Sequence, residues 1–208
     1  MSEGVVNNKT ERPLAYYRER LAEADPARRA EELGIEYKDG GFTLAFFGAE
    51  CRVSWPEGEI TSNEPGAIVP ANAGAQILLL RYLTEGIALP ASGRFLAFRQ
   101  LPWGEVYLKP FTGRCLTRMA WKYQSGKEKF CAAAAALGGV PTGHADAGFE
   151  FVLTGDYRMR FSLWAGDEEF PPNAQIEYSD NFAAGFTAED SVVAAEILIS
   201  AISARMKG

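Results

Sequence analysis

The sequence predicts an α+β fold: a mostly antiparallel sheet of hairpins with helices packed on it and a buried C-terminal helix. Three observations predict it. Phe42 to Trp55 and Phe149 to Trp164 are paired runs of aromatic and β-branched residues joined by short turn-rich links. Gly74 to Glu85 and the segment after Thr187 carry helix-start residues and are apolar on nearly every side. The chain has 208 residues, 47% of them hydrophobic, enough to fill one core. A single domain is therefore expected over residues 1–208. The order strand, strand, helix occurs at about residues 35–90 and again at 144–206, which suggests two similar halves within it, although few side chains are shared between them.

Taken in order, Leu14, Tyr17 and Leu21 recur on one helical face, and Pro13 fits the first turn, where a missing amide hydrogen leaves nothing unpaired. Asp25 and Pro26 break this helix and start a second, Pro26 to Leu33, which Gly34 ends through the left-handed conformation. Phe42 to Phe47 and Cys51 to Trp55 form a hairpin about Gly48, Ala49 and Glu50. Three prolines and two glycines make residues 56–70 a loop. Asn72 caps the helix Gly74 to Glu85, and Gly86 closes it.

Phe95 to Phe98 and Val106 to Leu108 are expected to pair as strands through Leu101, Pro102, Trp103 and Gly104, where proline second and glycine fourth suit a type I turn. Ser125 and Glu128 form a capping box for a helix from Gly126 to Gly138, which contains the alanine run Ala132 to Ala136 and an inner stripe of Phe130, Cys131, Ala134 and Leu137. Phe149 to Leu153 and Met159 to Trp164 alternate around Thr154 to Tyr157, and Ile176 to Tyr178 adds a third strand. Thr187 and Asp190 form a second capping box. The helix that follows runs to about Met206 and has only a narrow polar stripe, Glu196, Ser200, Ser203 and Lys207. It must lie across the sheet inside the domain, or pack in part against a second subunit.

The formal net charge of −6, from 21 basic and 27 acidic side chains, argues against nucleic acid and against a polybasic membrane attachment. No apolar run reaches the roughly 20 residues of a bilayer span. The first residues, with Glu3, Asn7, Asn8 and Glu11, lack the apolar core of a secretion signal. Cys51, Cys115 and Cys131 are too few and too dispersed for a disulfide framework, so the expected setting is the cytoplasm. His144 is the only histidine, which removes H-E-x-x-H zinc chemistry and any two-histidine site in one chain. It stands close to Asp146, an arrangement suited to proton transfer, but no nucleophile is placed beside it. There is no G-x-S-x-G elbow, and Gly126 and Lys127 lack the rest of a phosphate-binding loop. The sequence specifies neither a cofactor nor a reaction.

The chemistry-bearing residues gather in the final third. Strand alternation puts Arg158, Arg160, Ser162 and Trp164 on one face and Met159, Phe161 and Leu163 on the other. Two guanidinium groups two residues apart can grip a carboxylate or phosphate, and Trp164 can stack on a flat ligand. The alternative is a solvated face with Glu150 opposite Arg158 or Arg160 across the hairpin. Asp167, Glu168 and Glu169 repel one another unless a cation, an arginine or backbone amides offset their charge. Either they join Asp146 or Asp180 around magnesium or calcium, or Asp167 pins a tight turn while Glu169 meets an arginine and Phe170 enters the core. The expected site is a cleft for a small anionic molecule formed by Asp146, Arg158, Arg160, Trp164, Asp167 and Glu169. The competing readings are a homodimeric interaction subunit built on the terminal and alanine-rich helices, and a magnesium- or calcium-dependent enzyme with Asp146, Asp167 and Glu169 as ligands.

Trp164 to Pro171, Ala174 to Asp180 and Glu189, together with Ile77 to Leu83, Phe98 to Pro102 and Asp146 before Phe149, resemble an uncharacterised prokaryotic family catalogued as domain of unknown function 3786. The likeness covers most of the chain. It implies a prokaryotic, anaerobic source and relatives that stand beside or are fused to iron–sulfur and corrinoid one-carbon proteins, hence an accessory role in such metabolism. It implies no reaction and no catalytic residues. The chain lacks the four-cysteine segment of the fused relatives, which argues against a cluster of its own.

Overall fold

The computed structural model describes residues 10–123 and 126–207. The extreme N-terminal residues read for a secretion signal, and the Ser125 member of the first capping box, lie outside the described residues. The chain forms two compact units, one ending at Ala88 and one beginning at Leu89. Each combines helices with an antiparallel sheet, and the fold is α+β.

The first unit runs α1 (Glu11–Glu23), α2 (Pro26–Leu33), β1 (Glu36–Lys38), β2 (Gly41–Phe46), β3 (Ala49–Ser54), β4 (Ile60–Thr61) and α3 (Ala73–Glu85). Its sheet is the meander β1-β2-β3-β4. Phe42, Leu44 and Phe46 alternate with more exposed residues, as do Cys51 and Val53, so the sheet buries one face. The β2–β3 link is tighter than the three residues expected. Phe46 pairs with Ala49, and Phe47 and Gly48 turn the chain with φ of 48° and 76°, the twist a two-residue hairpin needs. Phe47 takes this conformation because its ring is buried edge-on against Phe46. Within the stretch expected to be a loop, Ile60 is buried and pairs with Val53 as β4.

Helix signals that act over three or four residues hold. Asp25 Oδ1 accepts from the Arg28 amide, Gly34 ends α2 at φ 64°, and Asn72 Oδ1 accepts from the Ala75 amide at 3.0 Å. The C-terminus of α3 has a cap from distant sequence. Arg29 Nε donates to Leu83 O at 2.8 Å, and its Nη2 donates to Gly86 O at 2.9 Å and to Tyr82 O at 3.3 Å. A guanidinium on the negative end of a helix satisfies carbonyls that no helical amide can reach. Arg29→Ala is expected to cost the first unit about 2 kcal/mol, read as a lower urea midpoint.

The second unit contains β5 (Phe95–Ala97), a 3₁₀ turn at Phe98–Gln100, α4 (Gly104–Phe111), a π-helical turn at Thr112–Thr117, α5 (Arg118–Tyr123) and α6 (Lys127–Ala135). β6 (Val140–Pro141), β7 (Ala147–Thr154), β8 (Tyr157–Trp164), β9 (Asn173–Ser179), α7 (Phe182–Gly185) and α8 (Ala188–Arg205) follow. The sheet order is β5-β9-β8-β7-β6, antiparallel throughout. The expected meander of β7, β8 and β9 is present.

The strand expected at Val106 to Leu108 is helix instead, and β5 pairs with β9, more than 75 residues away in sequence. The reason is the spacing of buried residues. Phe111, Cys115, Met119 and Tyr123 recur every four positions and face inward. Each step of four overshoots an α-helical turn by about 40°, and the wider π turn absorbs the drift, so one face stays on the sheet. The link before α4 also differs from expectation. The Gly104 amide donates to Leu101 O at 2.9 Å, but Trp103 has φ 65° and ψ 1°, the third position of a type II turn.

The core of this unit lies on the face of β7 to β9 that carries Phe149, Phe151, Met159, Phe161, Leu163, Ile176 and Tyr178. The terminal helix α8 opens with the Thr187–Asp190 capping box and packs against α4, the π turn and α6. Its residues Val192, Ala195, Ile199 and Ile202 are buried. Of the two expected placements, α8 takes the internal one. Its polar stripe is also occupied: Glu196 meets Arg114, Arg118 donates to Ser200 Oγ, and Tyr123 Oη donates to Ile199 O at 2.6 Å beside Ser203 Oγ. Helix α6 ends earlier than expected, with Phe130, Ala133, Ala134 and Leu137 buried and Cys131 only half-buried.

All three cysteines are free. Burial pushes the Cys51 thiol up to about 11 and the Cys115 thiol up to about 12, so neither presents a thiolate at neutral pH. Alkylation of the native protein at pH 8 is expected to label Cys131 alone within minutes. Peptide mass spectrometry checks it.

Candidate functional site

The face of the second sheet opposite the core carries the candidate site. Glu150 of β7 stands directly across from Arg160 of β8, which in turn faces Glu177 of β9. Arg158 Nη1 lies 3.1 Å from Glu150 Oε1, and Arg160 Nη2 lies 3.4 Å from Glu150 Oε2. One carboxylate thus divides its two oxygens between two arginines, as the solvated-face alternative expected of Glu150. Asp156 Oδ1 is a further 3.8 Å from Arg158 Nη2.

Around these side chains is a hollow of about 380 Å³ lined by Ala91, Ser92, Gly93, Phe95, Glu150, Asp156, Arg158, Arg160 and Ser179. The Arg160 guanidinium lies over the Phe95 ring, 3.8 Å from its centroid. Its Nε is buried and has no hydrogen-bond partner among the described residues. A guanidinium with five donors therefore has one long contact to an acid and a ring beneath it.

A buried polar latch holds the walls. Ser179 Oγ accepts from the Arg158 amide at 3.0 Å and donates to Asn181 Oδ1 at 2.6 Å. Asn181 Nδ2 then donates to Leu89 O at 2.6 Å and to Asp156 O at 3.3 Å, joining the segment before β5 to the β7–β8 turn. Asp180 accepts from both the Ser92 hydroxyl and the Ser92 amide. Those two bonds hold its carboxyl below the usual carboxylate range, the hydroxyl contributing most.

The six residues expected to converge fall into two groups. Arg158 and Arg160 are together in the hollow. Trp164 is half-buried on the same face, four residues further along β8, about 13 Å away. Asp146, Asp167 and Glu169 are exposed near that far end, not in the hollow. Asp146 Oδ2 accepts from the Ala165 amide at 2.9 Å. Asp167 Oδ1 accepts from the Glu169 amide at 2.8 Å and the Phe170 amide at 2.7 Å, which lowers its carboxyl pKa. Asp167 therefore pins a turn. Phe170 does not enter the core: it is 67% exposed. Among the described residues no group of three or more histidines, cysteines or acids could hold a metal ion, which removes the support for magnesium or calcium at the acidic loop. His144 is an exposed loop residue.

Ser92, Gly93, Ser179 and Asn181 carry no sequence signal for a site, because they meet only once β5 pairs with β9. Phe95 under Arg160 has the same origin.

With this geometry in place, the chain belongs to the family described as Domain of unknown function (DUF3786), whose model matches residues 25–201. The match includes Arg158, Arg160 and Glu150 and ends within α8. No curated protein and no solved structure matches. No helix among the described residues is long and apolar enough to cross a membrane.

Proposed function

We propose that the second unit binds a small molecule carrying a carboxylate or phosphate group, gripped by Arg158 and Arg160 in the hollow beside Phe95. The observation that carries this reading is the underused Arg160: a guanidinium flat on an aromatic ring, with an orphaned Nε and a single 3.4 Å contact to an acid it shares with Arg158. A ligand oxyanion that displaces part of the Glu150 contact completes the donor set of both arginines. An accessory, ligand-sensing role fits such a site better than a chemical step, because no nucleophile or perturbed acid–base pair lines the hollow. A cytoplasmic setting belongs to the same reading, supported by three free cysteines.

Calorimetric titration at low ionic strength with inorganic phosphate, with succinate and with a phosphate-bearing corrinoid fragment tests it. Saturable binding with a dissociation constant of about 0.1–5 mM, weakened by added salt, is expected for a shallow charged site. Absence of saturable heat with every probe up to about 20 mM would contradict it.

A further inference from the structure

Independently of the hollow, α4 displays an apolar stripe. Trp103, Val106 and Tyr107 are 75%, 67% and 44% exposed, and Pro110 extends the same face at the i, i+3, i+4, i+7 spacing. Trp103 is also held in the left-handed region at φ 65°, a conformation that disfavours a side chain with a Cβ. Strain of that kind is ordinarily offset by burial, as it is at Phe47. Here the strained side chain stands in solvent, and its placement serves no packing within the chain. The following residue fixes the turn: a Cβ on Gly104 would fall 2.0 Å from Phe98 O, so the helix start and the tryptophan are displayed together.

The charges beside the stripe indicate what covers it. Glu105 and Lys109 are exposed, four residues apart, along one edge of the apolar face, and neither has an ion-pair partner among the described residues. When two copies of such a helix pack antiparallel about a two-fold axis, each edge faces its own copy in reverse order. Glu105 then meets the partner's Lys109, and Lys109 meets the partner's Glu105. Parallel packing would instead set like charges side by side. We infer that α4 is the self-association face of this chain, with Trp103, Val106 and Tyr107 forming the apolar contact and the crossed Glu105–Lys109 pairs fixing its orientation.

Sedimentation velocity on the full chain tests it between about 5 and 200 µM, the range for a small, weak interface. A monomer–dimer equilibrium is expected. Glu105→Lys is expected to raise the dissociation constant about tenfold or more by replacing two attractions with two repulsions, and the double variant Glu105→Lys, Lys109→Glu is expected to restore it. Both are surface changes, so unchanged circular dichroism should accompany them. A chain that stays at 22.7 kDa across the range overturns the inference. So does a dimer that Glu105→Lys and Trp103→Ser leave intact, since its interface must then lie elsewhere.

Discussion

Replacing Phe98 by alanine is expected to destabilise the second unit by about 4 kcal/mol. Phe98 is fully buried and stacks on Phe111 of α4, with centroids 4.0 Å apart and planes 14° from parallel. The Tyr178 ring of β9 stands 6.3 Å away, its hydroxyl donating to Ser191 O of α8. One side chain thus joins the end of β5 to α4 and to the sheet, and the cavity left by its removal has rigid walls on each side. Guanidinium unfolding followed by tryptophan fluorescence checks it. A loss under about 1 kcal/mol would mean that the stack does not hold β5 in place. Because β5 and the residues before it supply Ser92, Gly93 and Phe95, the variant is expected to lose anion binding as well, even under conditions where it remains folded.

Arg160→Ala is expected to weaken phosphate or carboxylate binding about tenfold or more while leaving stability nearly unchanged. The separation follows from the energetics. The pair with Glu150 is 3.4 Å long and both partners are partly exposed, so in the free protein it contributes less than about 1 kcal/mol. A ligand oxyanion between two guanidiniums gains charge-assisted bonds that the free protein lacks. Arg160→Lys keeps the charge but loses the flat face on Phe95 and the paired donors, and is expected to recover only part of the affinity. Glu150→Gln should act in the opposite sense, tightening binding by removing the competing carboxylate. Calorimetry on the three variants reads all of these effects. Equal affinity in Arg160→Ala and the unaltered chain would remove Arg160 from the site.

The parts of this fold that were legible in the sequence are those decided within a few residues. Gly34, Asn72 and the Thr187–Asp190 pair act on backbone groups three or four positions away, and each stands where its chemistry requires. The β7–β8 hairpin was legible for a related reason: strict alternation fixes which residues share a face, and so set Glu150 against Arg158 and Arg160. Val106 to Leu108 misled because β-branched and aromatic residues favour strands locally, whereas Gly104, Phe111 and Cys115 bury a helical stripe that local preference does not weigh. The Phe47–Gly48 turn was missed because a buried phenylalanine took a conformation usually left to glycine or asparagine.

The candidate site divides along the same line. Its two arginines could be read from one strand. Its floor and walls could not, because Phe95, Ser92, Ser179 and Asn181 converge through a strand pairing and a hydrogen-bonded latch between distant segments. The acidic loop drew attention through charge alone. Its carboxylate Asp167 is answered by the amides of Glu169 and Phe170, a local solution that composition does not reveal.

The most direct test of the anion-binding account is a phosphate titration of the ¹⁵N-labelled chain followed by amide chemical shifts. Saturating shifts confined to Ser92, Gly93, Phe95, Arg158, Arg160 and Ser179 are the expected result. Shifts centred on Asp146, Trp164, Asp167 and Glu169, or no saturating shift at any amide, would contradict it.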